Sequence, residues 1–230
     1  MRELDRAARA ELRALPRGLA ETVGRHLVAA GRLLDEDPDL ALAHALAARR
    51  LASRVAVVRE AAGLAAYAAG EWTTAIAELR TYHRMSGTLS HLALIADAER
   101  ALGRPERAID LFRTADRTRL DLAARMELLI VAAGARRDLG QTAAAAAMLQ
   151  VPELDADSDE PWLARLRYAY ADVLLELGRR DEARYWFARA ADVDRDGQTD
   201  VAERLLDLDG VVLHEAQAPE ETADAEAVEE

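Results

Sequence analysis

The chain has 230 residues, a net charge of −12 and no cysteine, so disulfides, thiolate zinc sites and cysteine nucleophiles are excluded. Apolar residues make up 51% but aromatics only 4%. Alanine and leucine, both strong helix formers, carry the apolar fraction, which points to closely packed helices. The charge is uneven: Glu215–Glu230 holds seven acids and no base, leaving −12 + 7 = −5 for the preceding body, too acidic a balance for a general nucleic-acid binder.

In chain order, the first predicted element is a helix over Arg2–Leu15, with Leu4, Ala8, Leu12 and Leu15 on one side and Pro16 and Gly18 closing it. It is the N-terminal cap, residues 1–18. Arg2, Arg6, Arg9, Arg13 and Arg17 are expected on its other side, within about 80° at 100° per residue. That face offers an alternative function, in which an accessory protein meets phosphate or RNA there. The charged N-terminus has no apolar signal core, and no apolar stretch reaches the roughly 20 residues of a membrane span. The cytoplasm is the expected location.

A repeat domain is expected over residues 19–208. Its first copy, Leu19–Ser53, is degenerate: Ala29, Ala41 and Ala48 take small positions, and Asp37-Pro38 replaces a glycine turn. Four clearer copies follow, centred on Gly70, Gly103, Gly140 and Gly178, at spacings of 33, 37 and 38 residues. Five residues after each glycine comes Ala75, Ala108, Ala145 or Ala183; nine after comes Leu79, Phe112, Leu149 or Phe187; seven before comes Gly63, Ala96, Ala133 or Ala171. Each unit reads as two helices around a glycine turn. Small residues let the helices approach, and the large one fills the groove between neighbouring pairs. The fourth copy is cut short at Pro152, and the acidic segment VPELDADSDEP separates it from the fifth, where the stack is expected to bend or break, a single continuous superhelix being the preferred reading.

Toward the C-terminus, Asp192–Glu203 (DVDRDGQTDVAE) matches the ligand spacing of an EF-hand calcium loop, with Asp192, Asp194 and Asp196 first, Gly197 at the turn and Glu203 closing. Thr199 stands where an apolar residue normally bridges to a partner loop, and no second loop exists. The expectation is therefore an acidic linker, with no metal and no cofactor, leading into a last helix over Asp200–Leu208 opened by an Asp200/Glu203 capping box. Residues 209–230 form an acidic tail of disordered composition.

The small positions, turn glycine and aromatic-or-leucine position resemble those of the tetratricopeptide repeat (TPR) family over about Leu19–Leu208; RHLVAAGRLLDEDP and AHALAARRLASRVAVVREAAGLAAY are similar to actinobacterial members. The resemblance implies an all-α, right-handed α-solenoid of about five helix hairpins with capping helices. It also implies a non-catalytic scaffold that binds a protein or peptide in a concave groove lined by the first helix of each repeat. Carried onto this chain, the groove positions are Glu60, Leu64 and Tyr67, then Asp97 and Arg100, then Glu127, Arg137 and Asp138, then Arg165, Tyr168, Asp172 and Glu176. Arg100, Arg137 and Arg165 are expected to be exposed binding anchors. With no lysine and no asparagine, the chain lacks the set that some relatives use to clamp a C-terminal carboxylate. The five histidines do not sit at metal-ligand spacing, although His83 and His91 flank a loop around Ser86-Gly87, and no nucleophile elbow or phosphate-cradling glycine loop is present. Neither the oligomeric state nor the identity of the partner follows from the residues.

Overall fold

The computed structural model describes residues 3–210, and among them every regular element is helical. The α-helices are α1 (Arg6–Leu12), α2 (Arg17–Leu33), α3 (Pro38–Ala52), α4 (Ala56–Ala68), α5 (Trp72–Ser86), α6 (Leu92–Ala101), α7 (Pro105–Thr114), α8 (Leu122–Asp138), α9 (Thr142–Leu149), α10 (Pro161–Glu176), α11 (Arg180–Ala191) and α12 (Val201–Leu208). Short 3-10 turns span Arg117–Arg119 and Pro152–Asp155. From α2 to α12 each helix packs against its successor; in addition α2 touches α4, α6 touches α8, and α8 touches α10. No helix among the described residues is long and apolar enough to cross a membrane. The acidic tail lies beyond the described residues from position 211 onward.

Four of the five helix pairs turn on the same device. Gly70, Gly103, Gly140 and Gly178 all have φ between 70° and 75°, the left-handed region in which a Cβ is strained. The next residue reaches back across the turn: Glu71 N–H to Ala66 C=O (2.8 Å), Arg104 to Glu99 (2.9 Å), Gln141 to Arg136 (2.8 Å) and Arg179 to Leu174 (3.0 Å). These six-to-one bonds satisfy carbonyls that the helix end leaves open. The first pair uses different chemistry: Asp37 caps α3 by accepting the Leu40 N–H at 3.0 Å, with Pro38 in the first turn, where its missing N–H costs nothing.

The small positions lie where helices meet. Ala75, Ala96, Ala108, Ala145, Ala171 and Ala183 are fully buried, and a Cβ on Gly63 would stand 2.6 Å from the Leu79 side chain. Leu79, Leu149 and Phe187 are also fully buried. Phe112, their counterpart in the third pair, is only half-buried and bridges two core clusters. The cause is the short α9: Val151 is held extended ahead of Pro152, so the helix ends after eight residues and leaves α7 partly uncovered. The chain does not part there, because α10 packs on both α8 and α9.

The N-terminus departs from expectation. The predicted Arg2–Leu15 helix is confined to Arg6–Leu12, since Asp5 caps it by accepting the Ala8 N–H at 2.8 Å. Pro16 and Gly18 do not close this helix; Pro16 precedes α2 and Gly18 lies in its first turn. Leu12 is fully buried, and the Glu11 carboxylate accepts the Val57 N–H at 3.0 Å, tying α1 to an open donor at the start of α4. At the other end, the expected capping box is not formed: Asp200 makes no side-chain cap bond and instead faces Arg204 at 3.5 Å.

Candidate functional site

The candidate groove residues sit on α4, α6, α8 and α10, the first helices of their pairs, and the structure joins them into a polar ladder. The Tyr67 hydroxyl donates to Asp97 on α6 at 2.6 Å. Arg100 donates to Asp97 at 2.9 Å and, through two nitrogens, to Asp138 on α8 at 2.8 and 3.2 Å. Arg137 spans to α10, reaching Asp172 at 2.8 Å and both oxygens of Glu176. Arg165 on α10 returns to Glu127 on α8 at 2.6 Å and bonds Gln198 at 2.5 Å. Arg204 on α12 ends the row, donating to the Tyr168 hydroxyl at 3.3 Å and facing Asp172 at 3.7 Å. At the opposite end His91 Nε2 lies 2.6 Å from Glu60.

This arrangement corrects the expectation that Arg100, Arg137 and Arg165 are exposed. Their side chains keep only 25%, 29% and 39% of their exposure, and each is engaged by acids of a neighbouring helix pair. Helices packed through small residues bring the first-helix faces so close that long arginines cross the junction and pair there. Burial alone would lower the Arg100 guanidinium, but Asp138 and Asp97 outweigh it and hold it more firmly charged. For Arg137 the bond to Glu176 leads the upward shift. Burial, then the bond to Asp97, pushes the Tyr67 hydroxyl well above its ordinary value, keeping it a donor. Leu64 stays half-buried on the same face and carries no polar bond.

Three contributors escape a reading of the sequence. Gly134 on α8 lies directly beneath Arg100, whose Cζ would stand 2.7 Å from a Cβ at that position. Gln198 and Arg204 come from the linker and the last helix. The mid-helix glycine of α8 was a visible signal; its partner, 34 positions earlier in the chain, was not.

The other candidates resolve individually. In the calcium-like segment the Asp194 carboxylate accepts the Gln198 N–H (2.8 Å), the Thr199 N–H (2.9 Å) and the Thr199 hydroxyl (2.6 Å), so it organises its own loop. Burial opposes its ionisation, but these donors prevail and lower its pKa. Asp192 is the C-cap of α11, and no group of three or more His, Asp or Glu side chains converges among the described residues. The N-terminal arginines do not form one helical face: α1 carries Arg6 and Arg9, Arg13 is its C-cap, Arg17 opens α2 and pairs with Glu21, and Arg2 lies outside the described residues. His83 and His91 both lie near Tyr82, at ring separations of 6.1 and 5.7 Å. His26 and His44 meet through their Nδ1 atoms at 3.0 Å, and burial, followed by His44, lowers the His26 pKa.

The chain matches no family model, and no curated protein matches it significantly.

Proposed function

We propose that the chain is a TPR-like α-solenoid that serves as a non-catalytic cytoplasmic adaptor, binding a protein or peptide along the face formed by α4, α6, α8 and α10. The observation that supports this reading is the ladder itself. It fixes the rotamers of nearly every charged group on the face, so a partner meets an ordered surface and little side-chain entropy remains to be lost. Carboxylates outnumber arginines there, with Glu60, Asp97, Glu127, Asp138, Asp172 and Glu176 against Arg100, Arg137, Arg165 and Arg204. The surplus favours a basic segment, and the half-buried Leu64 and Ala93 supply apolar contact.

Affinity capture from the native cytoplasm tests the proposal with variants that leave the ladder intact. Leu64→Arg with Ala93→Arg adds cations and bulk at positions outside the ladder, and removes the partner. Deleting Glu215–Glu230 retains it. Loss on tail deletion with retention by the double variant refutes a groove function.

A further inference from the structure

A separate cavity of about 250 Å³ lies where α7, the 117–119 turn, α8 and the segment after α9 meet. Its apolar walls are Phe112, Met148 near the end of the short α9, and Met126, Leu128 and Leu129 of α8, beside the charged Arg117, Arg125 and Glu153. An engineered apolar cavity of about 150 Å³ admits benzene, so this one has room for an aromatic ring with a short chain.

Two cations line the same space. Arg125 Nε is buried and finds no hydrogen-bond acceptor among the described residues. Only that nitrogen is buried; the Arg125 side chain as a whole is half-buried, and since a guanidinium has donors only, an anion is its natural complement. Arg117 lies over the Phe112 ring at 4.6 Å and has no carboxylate within ion-pair distance among the described residues. Arg117 is exposed and Arg125 half-buried, and both line the same cavity. Glu153, the remaining charged wall, leaves the lining with one net positive charge, which suits a monoanion better than a phosphate dianion.

We propose that this cavity binds a compact monocarboxylic acid with an apolar body, its carboxylate on Arg125 and Arg117 and its body against Phe112, Met126 and Met148. The planar donor fork of arginine matches a carboxylate, and methionines adapt to an irregular apolar shape. The site is independent of the adaptor face, and its failure would leave that reading untouched.

The test uses the full chain, 3-phenylpropionate and its neutral amide. Titration calorimetry with the acid gives saturable binding with a dissociation constant of about 0.1–1 mM, at least about tenfold weaker for the amide and for Arg125→Gln. Nuclear magnetic resonance of methionine methyls shows larger shifts at Met126 and Met148 than at the exposed Met85, which does not line the cavity. If Arg125→Gln does not fold, as judged by circular dichroism, the acid–amide comparison and Arg117→Gln decide. No saturable binding by about 10 mM, equal affinity for acid and amide, or shifts that omit Met126 and Met148 would each overturn the proposal.

Discussion

Two glycines in helix interiors make a sign test of the packing. Gly31 in α2 is exposed, and a Cβ there would meet nothing within 4 Å. Gly31→Ala therefore gains helix propensity and loses unfolded-chain entropy at no steric cost, a stabilisation of about 0.5–1 kcal/mol. Gly63 in α4 is buried, and the same Cβ would stand 2.6 Å from Leu79 Cγ and Cδ2 and 3.2 Å from its backbone nitrogen. Leu79 is fully buried and its Cγ is not the tip of a flexible chain, so it cannot swing aside. Overpacking of this kind costs about 1–3 kcal/mol, which exceeds the propensity gain and leaves a net loss of about 1 kcal/mol. In a domain of this size 1 kcal/mol moves Tm by about 2–4 °C. Thermal melts followed by circular dichroism should show Gly31→Ala melting higher and Gly63→Ala lower than the wild type. Equal upward shifts would mean that α4 and α5 do not approach as described and that the repeat register is wrong.

Three further outcomes follow from the same contacts. Arg100→Ala and Asp138→Ala each destabilise modestly, because both side chains keep part of their exposure, and a double-mutant cycle returns a coupling of about 1 kcal/mol; strict additivity contradicts the bridge between α6 and α8. Since Asp194 is occupied by its own loop, titration calorimetry should show no micromolar calcium binding, and a saturable signal abolished by Glu203→Gln refutes this. Burial, followed by His44, lowers the folded pKa of His26; burial, followed by His91, lowers that of His83. The unfolded chain then binds more protons near pH 6.5, so this stability is complete above the unfolded value and lost as pH falls through the folded ones. Tm should drop between about pH 7.5 and 5.5, and a flatter profile is expected for His26→Gln with His83→Gln; an unchanged profile in that variant rules these residues out as the cause.

The sequence by itself determined the helices, the turns between them and the small positions at their contacts. Those signals are local and periodic: Gly70, Gly103, Gly140 and Gly178 end helices through their own backbone, and alanines at constant offsets from them fall on the same side of each helix. Helix starts were less legible where a nearby side chain sets the boundary, as Asp5 does for α1. How the charged residues of the face pair was decided only by tertiary structure. Its residues were named from the family resemblance, but Arg100–Asp138 and Arg137–Glu176 join positions 38 and 39 residues apart, and only the stacking of consecutive pairs reveals that these arginines are paired internally. Gly134 acquires its meaning from an arginine on another helix, and the cavity beside Phe112 from walls on α7, α8 and α9. Sequence periodicity specifies which side of a helix faces inward. What meets it there depends on how closely the neighbouring helices approach, which only the packed structure sets.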